Sequence, residues 1–247
     1  MRKNKLRLCM LISGGGTTAS EIIRACLHGM LADEVEPVLV IASKPDAGGI
    51  ERTKAAGMKD EDVIVIRRNA LQPPEYFGEE IVRACRERGV EVIGQYGWLP
   101  KTPVNVINAF PGCMINQHPG PLDPGYPDFG GKGMFGMRVH VAVLYFARVT
   151  GRLKATEATA QRVDPEFDRG AVLHSRSIPI DLENDTPESL QHKVLPIEHQ
   201  VQIEALHNFA NCYTADSQRI AERLIHPDNV HHLADAKRIA RILYPHG

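Results

Sequence analysis

Features that would point to a membrane-spanning or secreted protein are scarce in this sequence of 247 residues. Every apolar run is shorter than the roughly 20 residues that cross a bilayer, so no membrane-spanning helix is predicted. The basic start of the chain leads into an apolar run that stops at Gly14 and lacks a small-residue cleavage site. No signal peptide is therefore predicted.

Neither sign of charge is in excess, because 29 Lys and Arg stand against 30 Asp and Glu. Aromatic residues make up only 6% of the chain and are not interleaved with a stripe of basic residues. A nucleic acid therefore has no evident binding surface, and a small anionic metabolite is favoured as the partner.

The five cysteines are too widely spaced for a disulfide framework or a zinc site. No Cys-x-x-Cys pair occurs, and at least three of them fall in apolar segments, where a free thiol behaves as a small hydrophobic group. The five are Cys9, Cys26, Cys85, Cys113 and Cys212. This pattern predicts a reducing, cytoplasmic location.

The first half of the chain alternates short apolar runs with helical patterns, which is typical of a parallel sheet covered on both faces. Strands are predicted at 6–12, 38–42, 62–66, 90–94 and 112–116. Two further strands at 155–163 and 171–180 precede a helix that begins after Thr186 and ends near Asn211. We predict an α/β fold, Rossmann-like, with a mostly parallel twisted sheet and helices on both faces.

The length and the 43% hydrophobic content allow one large globular domain with a substantial core. We predict a catalytic domain of residues 1–212, followed by a helical extension of the same domain at residues 213–247. The extension is polar and contains His226, His231 and His232. It is interpreted as surface helices or as the contact of a homodimer.

A glycine-rich loop follows the first strand and precedes the first helix. It consists of Gly14, Gly15, Gly16, Thr17 and Thr18. Backbone N–H groups at the positive end of a helix predict a phosphate site. A dinucleotide-binding pattern is also met, but the second strand lacks the acidic residue that would hold a ribose, so a phosphate monoester is favoured over NAD. A tight turn without a ligand is the alternative.

Asn116 and His118 lie at the end of the fifth predicted strand. Alternation sends both side chains to one side if the strand geometry persists to His118. An amide and an imidazole that donate to one oxygen would stabilise the oxyanion of acyl transfer. The alternative is a strand cap and a surface histidine, but the Gly- and Pro-rich segment 119–136 favours a site, since long loops are often functional. No second His or Cys stands at ligand spacing from His118, so no metal is predicted.

Three separated motifs occur in an order that resembles the folate-dependent formyltransferases, and among them the purine branch. The motifs are Ser13-Gly14-Gly15-Gly16-Thr17, Asn116-Gln117-His118-Pro119, and the acidic loop from Asp164 to Gly170. On its own, this acidic loop would be interpreted as a solvated turn. The resemblance covers roughly the first four-fifths of the chain and implies the formyltransferase fold.

The resemblance implies transfer of a formyl group from 10-formyltetrahydrofolate to the primary amine of glycinamide ribonucleotide, without a metal. It assigns catalysis to Asn116, His118 and Asp168. His118 is expected to be protonated, with Asp168 raising the pKa of the imidazole. The implied substrate-binding residues are Gly14, Gly15, Gly16, Thr17, Thr18 and Glu198. The implied folate-binding residues are Tyr96, Gly97, Trp98, Leu99, Asp164 and Glu166.

Several departures from the family pattern leave alternatives open. Thr17-Thr18 replaces the usual Ser-Asn, and the segment 96–100 is more like the tRNA-directed branch. That branch and the sugar-nucleotide branch carry an additional domain, for which residues 216–247 are too few. Another phosphorylated or nucleotide-linked amine, with Lys132 as a candidate phosphate contact, and hydrolysis of formyltetrahydrofolate remain alternatives. A non-catalytic phosphometabolite-binding module is disfavoured because the catalytic triad is complete.

Overall fold

The computed structural model describes residues 4–123, 126, 128–212 and 223–247. These residues divide into two compact units. One is formed by the described residues of Met1–Gln117 and Gln202–Thr214, and the other by those of His118–Val201 and Ala215–Gly247.

The first unit is built on five parallel strands in the order β3-β2-β1-β4-β5. They are β1 (Leu6–Ile12), β2 (Val35–Ala42), β3 (Val63–Val65), β4 (Val92–Gln95) and β5 (Met114–His118). β1 and β2 are apolar along most of their length because both faces of a parallel sheet are covered. Leu8, Met10 and Leu11 of β1 are fully buried.

Four helices connect these strands: α1 (Thr17–His28), α2 (Gly49–Ala55), α3 (Pro74–Glu87) and α4 (Val104–Ala109). α3 shows why such segments become helices that cover a sheet. Phe77, Ile81 and Ala84 recur at helical spacing on its buried face. Its first residue is Pro74, at a position where the missing N–H removes no hydrogen bond.

The second unit contains a hairpin and helices. Strands β6 (Ala155–Arg162) and β7 (Val172–Pro179) pair antiparallel. Helix α5 (Met137–Thr150) is buried on most sides, in agreement with its almost continuously apolar sequence. Helix α7 (Val230–Leu243) packs on α5 through Leu233, Ala236 and Ala240.

Helix α6 (Pro187–Ala210) begins in the second unit and ends in the first. Its start is fixed by a reciprocal cap at Thr186, the residue after which the helix is predicted to begin. The N–H of Ser189 donates to Oγ1 of Thr186 at 3.1 Å, and the N–H of Thr186 donates to Oγ of Ser189 at 2.9 Å. Two N–H groups that the helix itself leaves unpaired are thereby satisfied.

The predicted α/β fold with mostly parallel strands is confirmed, and only element boundaries differ. β5 begins later than predicted and continues to His118, so the strand geometry persists through both Asn116 and His118. Between 119 and 136, the described residues form no helix or strand apart from a bridge between Asp123 and Tyr126.

The boundary predicted between residues 212 and 213 stays a prediction. Residues 213–222 of the extension lie outside the described residues, and α7 belongs to the second unit. All five cysteines are free thiols. In the part of the chain that the structure describes, every helix is too short or too polar to cross a membrane.

Candidate active site

The glycine-rich loop is a tightly packed turn between β1 and α1. Gly16 has a φ of 64° and caps α1. A Cβ at Gly16 would lie 2.6 Å from the Cα of Gly49, a distance that no side chain tolerates. The N–H of Gly49 also donates to the carbonyl of Gly14 at 2.9 Å. The loop therefore needs glycine for close packing as well as for conformation, and it places the first turn of α1 at its end.

A cation that the sequence analysis did not identify lies beside this loop. The Nε of Arg52, on α2, donates to the carbonyl of Gly15 at 2.7 Å. This bond brings a full positive charge to a loop whose helix N-terminus already favours an anion. In the sequence Arg52 is indistinguishable from a surface arginine of α2.

The segment predicted to contact folate is attached to the end of β1. Ser13 is buried, its N–H donates to the carbonyl of Gly97 at 3.1 Å, and its hydroxyl accepts the N–H of Leu99 at 3.0 Å. The side chains of Tyr96 and Trp98 point into the first unit, whereas Gly97 and Leu99 are exposed. Of the four predicted residues, those two are available to a ligand.

Trp98 and Tyr96 act as packing residues. The ring of Trp98 stacks on Phe77 with centroids 6.0 Å apart and planes 4° apart. Burial raises the pKa of Tyr96 above its ordinary value of 10. Both buried rings therefore anchor the segment 96–99 to the core of the first unit.

His118, the last residue of β5, is only 3% exposed. Because β5 is a strand through His118, Asn116 and His118 are alternate residues and project from the same side, as the alternation predicts. The Nε2 atom of His118 is buried and has no hydrogen-bond partner among the described residues. A buried donor or acceptor without a partner is costly, and a polar ligand would remove that cost.

Asp168 faces His118 across 3.9 Å, measured from Oδ2 of the carboxylate to Nδ1 of the imidazole. Two hydrogen bonds fix this carboxylate: the N–H of Gly131 donates to Oδ2 at 2.7 Å, and Nε2 of Gln161 donates to Oδ1 at 2.7 Å. The distance to His118 is that of an ion pair rather than of a direct hydrogen bond.

Backbone geometry at Asp168 is unusual. The residue has a φ of 57°, in the left-handed region that few residues other than glycine adopt. Gly130 packs against it so closely that a Cβ there would lie 2.6 Å from the Oδ2 of Asp168. A strained aspartate held by a glycine segment is typical of a functional position.

Electrostatics differ from the expectation of a protonated His118. Burial lowers the pKa of His118 below 6.5, and this effect outweighs the Asp168 carboxylate, which raises it. The ammonium of Lys237 lowers it further. The imidazole is therefore neutral at pH 7 in the chain without ligand. Asp168 raises the pKa of His118, as expected, but by less than burial lowers it.

Glu198, on α6, is buried rather than exposed on the helix surface. Its side chain is 4% exposed, and its Oε1 atom has no hydrogen-bond partner among the described residues. Burial raises the pKa of Glu198 to about 7. A buried carboxyl group with a raised pKa is a marker of functional sites.

The remaining predicted residues lie on an exposed turn. Asp164 and Glu166 are both solvent-exposed, and Oδ1 of Asp164 accepts the N–H of Glu166 at 2.9 Å. Glu166 also pairs with Arg169 at 2.7 Å. The turn thus shapes the chain that leads to Asp168, and folate binding by its carboxylates stays a prediction.

Two further residues near His118 and Asp168 were not identified from the sequence. His140 on α5 is buried, and burial together with His118 lowers the pKa of His140 to about 4. Lys237 on α7 donates from Nζ to the carbonyl of Gly130 at 2.9 Å. No three His, Cys, Asp or Glu side chains of the described ranges are grouped closely enough to hold a metal ion.

The sequence of the chain is similar to those of known formyltransferases. A family model described as formyl transferase matches residues 6–206. The chloroplastic phosphoribosylglycinamide formyltransferase of Arabidopsis thaliana is 34% identical over 202 residues, which are 81% of this chain and 64% of that protein. The phosphoribosylglycinamide formyltransferase of Dictyostelium discoideum is 28% identical over 211 residues, 81% of this chain and 95% of that protein.

A solved structure agrees with the sequence comparison. Phosphoribosylglycinamide formyltransferase from Brucella melitensis is similar with a TM-score of 0.68 and 26% identity, over 84% of this chain and 96% of that one. This likeness confirms the fold predicted from the sequence. The chain spans less than two thirds of the length of the Arabidopsis relative.

Proposed function

Because the chain belongs to the formyl transferase family, we propose that it transfers the formyl group of 10-formyltetrahydrofolate to the primary amine of glycinamide ribonucleotide. Membership in the family implies a folate-derived formyl donor. The observation that carries the proposal is the juxtaposition of His118 and Asp168, at 3.9 Å, within the residues that match the family.

In this reaction the amine attacks the formyl carbon. A bond forms between the amine nitrogen and that carbon, the bond from the carbon to folate N10 breaks, and one proton moves from the amine to N10. The charge that develops on the formyl oxygen is stabilised by the amide of Asn116, an arrangement commonly worth about 3 kcal/mol per donor.

His118 carries the proton. A neutral imidazole whose Nδ1 faces Asp168 presents Nε2 to the substrate, and Nε2 is the ring atom that has no hydrogen-bond partner among the residues the structure describes. We assign it to accept the proton of the attacking amine and to release it to N10, as a general base and then a general acid. Asp168 stabilises the imidazolium that forms between these steps, which its position toward Nδ1 supports.

Glu198 is assigned to the acceptor amine. A buried carboxyl group with an unpartnered oxygen suits a ligand that donates N–H groups. As a carboxylate it would hold the amine and favour loss of its proton in the attack. Its burial, which the helix sequence alone does not reveal, supports this role over that of a surface carboxylate.

The glycine-rich loop and Arg52 are assigned to the phosphate of the acceptor. The first turn of α1 offers backbone N–H groups, and Arg52 adds a charge at the carbonyl of Gly15. Folate is assigned to the exposed Gly97 and Leu99, with Asp164 and Glu166 as further candidates. We also infer a cytoplasmic location, which the five free thiols support. The homodimer stays a prediction.

Comparing two acceptors that differ only in the phosphate tests whether the chain recognises that phosphate. Glycinamide ribonucleotide and its dephosphorylated riboside are compared in an assay of tetrahydrofolate release from 10-formyltetrahydrofolate. We expect kcat/KM to be at least about 100-fold higher for the phosphorylated amine, since a charged hydrogen-bonded anion site contributes roughly 3 kcal/mol. Equal rates with both would contradict the assigned phosphate site.

A pair of variants refines the test. Arg52→Met should raise the KM for the ribonucleotide about tenfold with little change in kcat, because one charge–phosphate contact is lost. Arg24→Met, which removes an exposed arginine paired with Glu21 on α1, is the matched control and should change neither. Release of tetrahydrofolate without any amine would identify a hydrolase. Activity only with other phosphorylated amines would show that the acceptor is one of these rather than glycinamide ribonucleotide.

A further inference from the structure

The C-terminal helix α7 brings a lysine to the catalytic residues of the second unit. Leu233, Ala236 and Ala240 form the buried face of α7, and the two alanines let it pack closely on α5. Lys237 follows Ala236 and is half-buried beside this face. It lies outside residues 6–206, so the family match does not account for it.

Two consecutive hydrogen bonds connect Lys237 to Asp168. Its Nζ donates to the carbonyl of Gly130 at 2.9 Å, and the N–H of Gly131 donates to Oδ2 of Asp168 at 2.7 Å. The carbonyl of Gly130 and the N–H of Gly131 belong to the same peptide group. Lys237 therefore binds one end of the peptide whose other end holds the carboxylate, and it polarises that peptide toward Asp168.

We propose that Lys237 is a positioning residue of the formyl transfer site: its ammonium fixes the peptide between Gly130 and Gly131, which in turn fixes Asp168 opposite His118. This inference rests on the proposed function, because it assigns Asp168 and His118 to catalysis. It gives the C-terminal helix a part in the reaction that a surface helix would not have.

Neighbouring contacts hold the same glycine segment to the C-terminal region. Nη2 of Arg241 donates to the carbonyl of Lys132 at 3.1 Å. Nη1 of Arg138 donates to the carbonyl of Gly133 at 2.8 Å, and its Nε donates to the carbonyl of Tyr244 at 2.7 Å. The segment from Gly130 to Gly133 is thus attached along its length, and Lys237 supplies the attachment nearest to Asp168.

The charges around Lys237 suit this role. Burial lowers the pKa of Lys237 to about 8, against the opposing effect of the Asp128 and Asp168 carboxylates, while Arg241 lowers it further. At pH 7 Lys237 is therefore protonated and donates. Its charge in turn disfavours a second positive charge on His118. Replacing Lys237 should consequently change the pKa of His118 in two opposing ways: the lost charge raises it, and displacement of Asp168 lowers it.

Lys237→Met tests the proposal, since methionine keeps the apolar stem and removes the ammonium. We expect kcat to fall about tenfold to 100-fold, because a small displacement of Asp168 is enough for such a loss, while KM changes little. The pKa of His118, followed by NMR of the labelled imidazole, should fall, because displacement of Asp168 removes an effect on this pKa that is larger than the effect of the lost ammonium. Arg238→Met is the control: Arg238 is an exposed neighbour on α7 that pairs with Asp235, and both readouts should stay at wild type.

An unchanged kcat in Lys237→Met would overturn the proposal. A pKa of His118 that does not fall would also overturn it, because it would show a lost charge with Asp168 still in place. If this variant does not fold, the amide of Gly131 in the wild-type chain provides the test. Its ¹⁵N shift should change as Lys237, labelled at Cε, loses its proton, and an amide that does not respond to this titration would overturn the proposal. The NMR readouts need no turnover, so they remain valid if the proposed function fails in the assay of wild-type activity.

Discussion

The buried carboxyl group of Glu198 should make the stability of the chain depend on pH. Burial raises the pKa of Glu198 from its ordinary 4.5 to about 7, so the folded chain binds this proton more tightly than the unfolded chain. The resulting stabilisation is complete below pH 4.5 and is lost as the pH rises through 7. Glu198→Gln removes the titration while keeping the shape of the side chain.

The size of the effect follows from the two pKa values. The interval from 4.5 to about 7, at about 1.4 kcal/mol for each pKa unit, corresponds to about 3–4 kcal/mol in full. The part of this stabilisation that is lost between pH 5 and pH 8 is about 2–3 kcal/mol. Relative to wild type, the free energy of unfolding of Glu198→Gln should therefore be about 2–3 kcal/mol higher at pH 8 than at pH 5, so the variant gains relative stability as the pH rises.

Urea titrations followed by circular dichroism at both pH values measure this difference. Comparing two pH values cancels the cost of burying the neutral amide, which is the same in each. Glu80→Gln, at an exposed position of α3, makes the same chemical change and should show almost no pH dependence. A Glu198→Gln difference that is equal at pH 5 and pH 8 would refute the argument that this carboxyl group is buried.

Three further outcomes are expected. Asn116→Ala and His118→Ala should each lower kcat by about 10²- to 10³-fold with the urea midpoint unchanged, and near wild-type turnover in both would refute their catalytic roles. The kcat/KM of wild type should decline below about pH 7, where Glu198 takes up a proton. In Glu198→Gln the decline should begin only below pH 6.5, where His118 takes up a proton. A pH profile of the variant that matches wild type would contradict these assignments. Gly16→Ala should lower the free energy of unfolding by about 1–3 kcal/mol, because its φ is 64° and a Cβ would lie 2.6 Å from the backbone of α2. Gly14→Ala, with no atom within 4 Å, should change stability little, and equal losses in both glycine variants would argue against this packing.

The parallel strands could be predicted because each is a short apolar run followed by a helical pattern. β1 shows this in its seven residues, of which all but Arg7 are apolar. The cap at Thr186 was equally local, since it depends on residues three positions apart. Such features are visible in sequence because the interacting groups are close along the chain.

The burial of site residues was not visible in this way. The neutral state of His118 depends on how deeply the strand end lies in the second unit, and local sequence does not encode that depth. Glu198 looks like any other glutamate of a helix, yet it is buried. Lys237 lies in a polar segment, and only the packing of α7 on α5 brings it to Gly130. Contacts between residues more than 100 positions apart gave no signal in a single sequence.

The most direct test of the account follows the formyl group itself. 10-Formyltetrahydrofolate labelled with ¹³C in the formyl group is incubated with the chain and glycinamide ribonucleotide, and the products are identified by NMR and mass spectrometry. The account predicts one labelled formamide on the acceptor for each tetrahydrofolate released, and no release when the amine is omitted. Label recovered as formate, or release that does not depend on the amine, would contradict it.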